Sequence, residues 1–127
     1  MAIPTPPRSL EREFLMALDP AYFMEVCGFM PDDWQKEFLR SISRRLLLNC
    51  SRQAGKSSVV AIAALHEALY RPGALALIVS PSLRQSSETF RILLRAYARC
   101  GASRKNEPLE ISCCVRRTRL YERYSIS

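Results

Sequence analysis

An α/β fold is predicted by three observations in these 127 residues. An apolar run, Leu46-Leu47-Leu48, leads into Cys50-Ser51-Arg52-Gln53-Ala54-Gly55-Lys56-Ser57. From Lys56 to Arg71 the chain is apolar almost all round, as in a helix packed on more than one side. Ala74 to Ser80 is then a continuous apolar stretch of the kind buried in parallel sheets. Strand, helix, strand makes a βαβ unit, the centre of a three-layer arrangement preceded by short helices. Two strands leave sheet edges open, so the parallel sheet is expected to be incomplete.

The elements follow in order. Residues 1–8 are proline-rich, without the charged-then-apolar layout of a signal peptide, and read as a disordered leader. Ser9 can cap a short helix carrying Leu10, Phe14, Leu15 and Leu18. Asp19-Pro20 restarts helix as cap and first-turn proline, and Gly28 stops it. Pro31-Asp32-Asp33 opens a third helix in which Trp34, Phe38 and Ile42 form one apolar stripe. Residues 45–50 read as the first strand. Pro72-Gly73 ends the central helix, and Ser82 caps a long one from Leu83 to Cys100, closed by Gly101. Its apolar stripe is Leu83, Phe90, Leu94 (with Leu93) and Tyr97. Residues 9–102 thus form one unit. Residues 103–127 differ: they hold six Lys/Arg and three Glu with no helical or strand period, and read as an irregular basic tail.

The net charge of +7 favours polyanionic partners without naming one. Five cysteines at irregular spacing and a single histidine, His66, fit neither a disulfide frame nor a zinc site. They read as reduced thiols of a cytoplasm. No apolar stretch approaches the roughly 20 residues that span a bilayer, so no membrane association is expected. His66, on an apolar helix, reads as a packed histidine.

The chemistry lies in Gly55-Lys56-Ser57. Between a strand and a helix, such a P-loop wraps a phosphate with backbone N–H groups at the positive end of the helix dipole. Lys56 would span the β- and γ-phosphates, and the Ser57 hydroxyl would hold Mg²⁺. The ATP-binding set is therefore Ser51, Arg52, Gln53, Ala54, Gly55, Lys56, Ser57 and Ser58. Cys50 stands where the motif has its first glycine. Upstream, the Gln35 amide offers one donor and one acceptor, which matches the N6/N7 edge of adenine; its plainer reading is a solvated helix residue. Arg52 is either a charge used on phosphate or a surface charge. Arg84, Arg91, Arg95 and Arg99 share one helix face, either a phosphate-tracking stripe or a solvated face where Glu88 pairs with Arg84 and Arg91.

Pro31, Trp34-Gln35, the Ser51–Ser57 loop and Ser80-Pro81-Ser82-Leu83-Arg84-Gln85 together resemble the N-terminal ATPase half of the tailed-phage terminase large subunit, over residues 31–100. The resemblance implies a P-loop NTPase-like fold and an ATPase that drives double-stranded DNA into a procapsid. It implies ATP and Mg²⁺, a small terminase subunit and a portal protein as partners, and the bacterial host cytoplasm as the setting. By the same resemblance Gln35 contacts adenine, and Arg52 and Lys56 are the catalytic groups at the γ-phosphate. Ser80, Ser82, Arg84 and Gln85 couple nucleotide state to DNA. Two departures stand out. No apolar strand ends in the adjacent acids of a Walker B element, and the nuclease domain is missing. The chain is therefore expected to be truncated, frame-shifted or half of a split gene whose other half is a separate chain, and to hydrolyse ATP weakly or not at all alone. The rival readings are a helicase-type P-loop ATPase fragment and a non-catalytic basic nucleic-acid-binding protein.

Overall fold

The computed structural model describes residues 10–101, 109–115 and 121–126. The expected leader and the Ser9 cap lie outside the described residues. Helix α1 (Leu10–Leu18) buries Met16 and leaves Leu10, Phe14 and Leu18 exposed. Helix α2 (Pro20–Val26) starts as its sequence dictates: the Asp19 carboxylate accepts from Ala21 N at 3.0 Å and Pro20 fills the first turn. Gly28, at φ 88°, ends it. Gly28 N donates to Glu25 O and Phe29 N to Met24 O, the paired closure that needs a left-handed residue. Arg40, ending α3 (Asp33–Arg40), reaches back to Asp19 with Nη2 at 2.8 Å and Nε at 3.2 Å. That guanidinium holds the Asp19 carboxyl below the usual carboxylate range.

Helix α3 departs from its expected stripe. It stops at Arg40, so Ile42 lies beyond it and is 99% exposed. The Ser41 hydroxyl accepts from Ser43 N at 3.3 Å, giving the backbone a local alternative to another helical turn. The inward face is instead Gln35 and Leu39, with Trp34 and Phe38 packed partly against the core.

The first strand is also corrected. Residues 45–50 join no ladder, and Leu47 is 94% exposed. An apolar run becomes a strand only when a neighbour completes its hydrogen bonds and packs its side chains. The βαβ unit lies later in the chain. Helix α4 (Lys56–Tyr70) is followed by β1 (Leu75–Ser80), α5 (Leu83–Cys100), β2 (Leu109–Val115) and β3 (Tyr121–Ile126). The sheet runs in the order β1-β2-β3. β1 and β2 are parallel, with Leu75 opposite Glu110 and Ser80 opposite Val115. β2 and β3 are antiparallel, with Leu109 opposite Ile126 and Ile111 opposite Tyr124. Part of the expected irregular tail is thus paired strand. Leu109, Ile111, Cys113 and Val115 alternate with Glu110 and Ser112 at strand period, a signal that the reading of the tail as irregular passed over, while the second strand is ordered by its non-local pairing.

The core is built around α4. Val59, Ile62, Leu65 and Leu69 are buried with Phe23, Met24 and Cys27 of the α2 region and Leu93 and Ala96 of α5. As its composition predicts, α4 is packed on several sides. On α5 the buried face is Ser86, Thr89, Phe90, Leu93, Ala96 and Cys100, while Leu83 and Leu94 point outward. The small residues at 86 and 96 let α5 approach closely, and the Thr89 hydroxyl donates to Gln85 O at 3.0 Å. His66 is a packed histidine, edge-on to Phe23 with Nε2 2.9 Å from Met16 O.

Strand β1 alternates where a strand buried on both faces was expected. Ala76 and Ile78 pack on the helical core, whereas Leu75, Leu77 and Val79 are each more than half exposed. Helices cover one sheet face, so the described residues form two layers of an α/β fold instead of three. No described helix is long and apolar enough to cross a membrane.

Candidate functional site

The chain from Cys50 to Gly55 turns sharply into the N-terminus of α4. Two of its residues are left-handed: Gln53 at φ 61° and Gly55, the N-cap, at φ 78°. Left-handed residues among right-handed ones turn successive N–H groups to one side, and the concavity they form takes anions. At position 55 a side chain would be strained by the left-handed φ and would displace the Gln35 amide. A Cβ there would sit 2.6 Å from the Gln35 Nε2.

Lys56 folds back across the loop. Its Nζ donates to Cys50 O at 2.7 Å and Ser51 O at 2.6 Å, so the ammonium rests against the first half of the loop it follows. Cys50, standing in for a glycine, contributes its carbonyl to that seat. Ser51, Arg52, Gln53 and Ser57 are exposed, while Ala54, Gly55 and Ser58 are half-buried.

Two adjoining cavities meet here. One, of about 270 Å³, is lined by Gln53 through Ser58. The other, of about 210 Å³, shares Gln53, Ala54, Gly55 and Ser58 and adds Met24, Phe29, Met30, Asp32 and Gln35. The site therefore has one lobe at the helix terminus and a second whose lining sets Met24, Phe29 and Met30 beside Asp32 and Gln35.

Gln35 is not a solvated helix residue. It is 4% exposed, and both ends of its amide are engaged: Oε1 accepts from Asp32 N at 2.9 Å and Nε2 donates to Gly55 O at 3.3 Å. Gly55 O also accepts Val59 N at 3.1 Å as the first helical bond of α4. Gln35 thus fastens the α3 N-terminus to the α4 N-cap. Asp32, Phe29 and Met30 are site residues that the sequence reading left out. Asp32-x-x-Gln35 is a capping-box spacing, and that signal was available. Phe29 and Met30 gave none, because they reach the cavity through the turn after Gly28.

The segment Ser80–Gln85 bridges β1 and α5. Ser80 is buried, Ser82 accepts from Gln85 N at 3.4 Å as the α5 cap, and Arg84 and Gln85 are exposed. Fifteen residues of α4 run about 22 Å and six of β1 about 20 Å. The turn closed by Ala74 N to Arg71 O joins them. No hydrogen bond joins Ser80–Gln85 to the loop among the described residues. No group of three or more His, Cys, Asp or Glu side chains converges among the described residues. β2 ends on Val115, and the next residues in sequence are Arg116 and Arg117.

No family model matches the chain, and no solved structure matches it. Two curated proteins do. They are the terminase large subunit of Thermus phage G20c and that of Thermus virus P23-45, each 32% identical over 68 residues. The chain is similar to a phage terminase large subunit. The alignment takes in 54% of this chain and 14% of either relative, so it spans only a small part of the terminase subunits it matches. The family named by the resemblance of the loop and its flanks is the one named by these two relatives.

Proposed function

We propose that this chain is the nucleotide-holding piece of a DNA-packaging motor of the terminase large-subunit type, which couples ATP hydrolysis to movement of double-stranded DNA. The observation that carries the reading is the loop itself. A left-handed Gly55 caps α4, Lys56 is folded into the loop, and an open cavity lies over residues 53–58. In this reading the loop N–H groups cradle the phosphates, and Lys56 leaves the Cys50 and Ser51 carbonyls to meet the β- and γ-oxygens. Gly55, Lys56 and the exposed Ser57 hydroxyl sit where a helix N-terminus favours negative charge. Ser57 would hold Mg²⁺, and a bound Mg²⁺ would neutralise charge that develops on the phosphates. Exposed Arg52 is free to swing onto the γ-phosphate. Gln35 holds Gly55 in place and offers its remaining amide proton and lone pair to the base edge, with Phe29 and Met30 as apolar walls. Ser80, Ser82, Arg84 and Gln85 carry the nucleotide state toward DNA. The small terminase subunit and the portal would be its partners in that motor.

Binding of a fluorescent ATP analogue with Mg²⁺, wild type against Lys56→Ala, with phosphate release followed in the same samples, tests this. Lysine-dependent binding with little turnover is expected. Binding that survives Lys56→Ala would remove the loop from the site, and no binding at all would sink the reading.

A further inference from the structure

The outer face of α5 is a row of arginines that the loop chemistry does not use. We propose that this face is the surface of the chain that lies along the phosphate backbone of duplex DNA, an assignment that rests on the packaging reading. Arg84, Arg91, Arg95 and Arg99 fall within about 80° of helical arc and extend over about 22 Å. All four are exposed, and the helix contains no lysine and one acid, Glu88. Glu88 pairs with Arg91 at 3.2 Å, with both side chains more than half exposed. Such a pair is weak, so Arg91 can change partners at little cost. Successive steps of about 6 Å from Arg91 to Arg95 to Arg99 lie close to the rise of two phosphates along one strand. A planar guanidinium also suits bidentate contact with phosphate oxygens.

The choice of duplex over single strand comes from what the face omits. Single-stranded DNA is held by aromatic platforms on which bases stack. The aromatics of α5 are turned inward: Phe90 is buried and Tyr97 packs partly against the core. Arg99 lies with its guanidinium over Gly28, and the row of exposed cations, without a stacking surface, fits a rigid rod of charge. Its first member, Arg84, lies in the first turn of α5, just after the Ser82 cap.

The test is fluorescence anisotropy of a labelled, mixed-sequence duplex titrated at several salt concentrations. Arg91→Gln/Arg95→Gln should weaken binding about tenfold or more at low salt. It should also reduce the slope of log K against log salt by about 2. Arg91→Lys/Arg95→Lys should keep the slope, which separates lost charge from a damaged helix. Arg44→Gln/Arg45→Gln removes the same charge from the extended segment before the loop and should change the slope less. An unchanged slope in Arg91→Gln/Arg95→Gln would overturn the assignment. So would an equal fall in the 44/45 pair, tighter binding of a single strand of the same length, or no duplex binding by the wild type. Binding of the ATP analogue, measured in the same preparations, reports on the loop independently, so loss of one reading leaves the other standing.

Discussion

The Gln35 Nε2 donates to the main-chain oxygen of Gly55 across 3.3 Å, joining two residues twenty positions apart. Because Gly55 is the N-cap of α4, this bond fixes the point where the loop from Cys50 to Gly55 turns into helix. Gln35→Ala removes the bond and also frees Asp32 N, leaving a cavity in a buried position. A loss of about 1–3 kcal/mol in stability is expected, read by denaturant unfolding. Gln35→Glu keeps an acceptor for Asp32 N but sets a carboxylate against the Gly55 oxygen, so it should weaken ATP-analogue binding more than Gln35→Ala does. If both variants bind like wild type, Gln35 is only a helix brace.

Gly55 and Gln53 make opposite predictions from the same backbone region. Gly55→Ala must hold an alanine at φ 78° and push its Cβ against Gln35. The left-handed strain alone costs about 1–2 kcal/mol, and the displaced amide adds to it. Gln53 already bears such strain at φ 61°. Gln53→Gly relieves it but loosens the unfolded chain, so the net gain should be within about 1 kcal/mol. Thermal melts of the two variants should move in opposite directions.

What could be read from the sequence is what is encoded locally. Asp19-Pro20, Gly28, Ser82 and Gly101 mark helix ends because capping is a matter of one residue and its next neighbours. The turn into α4 is local in the same way, since the left-handed Gly55 supplies the helix cap from its own backbone. The misreadings fall where a partner decides. Leu46-Leu47-Leu48 has strand composition without a strand beside it, while residues 109–115, set among basic residues, pair on both sides and residues 121–126 on one. Gln35 belongs to this second group. Its amide is defined by Asp32 and Gly55, and only the Asp32 half lies within reach of a local pattern.

Acidification should destabilise the fold in two stages. Burial lowers the pKa of His66 from its usual 6.5, and its Nε2–H donates to Met16 O. The unfolded chain therefore binds a proton that the folded chain refuses, and stability falls as pH drops below about 6.5 until the folded value is reached. Asp19 is also lowered, from 3.8, by the Arg40 guanidinium. Its contribution is present above that value and is lost as pH falls through the folded one. Urea unfolding at stepped pH should show both stages. His66→Gln keeps a donor for Met16 O and should remove the first stage only, while Asp19→Asn should remove the second. A flat profile between pH 6.5 and 4.5 in wild type would contradict the assignment to His66.

The open face of β1 sets the behaviour of the chain in solution. Leu75, Leu77 and Val79 are 54%, 54% and 56% exposed in a row on one side of a strand, and Leu47 adds another exposed apolar side chain. Contiguous apolar surface on a sheet drives association, and β1 ends the strand order, so its edge is also unpaired among the described residues. The isolated chain should therefore self-associate with rising concentration, seen by light scattering. Leu77→Lys places a charge in the middle of the exposed face without touching the core side, where Ala76 and Ile78 pack. It should reduce association at unchanged melting temperature. An exposed leucine on α1 offers the control: Leu10→Lys removes comparable apolar surface 85% exposed elsewhere in the fold. Equal relief from both substitutions would mean that general surface hydrophobicity, and not the sheet face, holds the copies together.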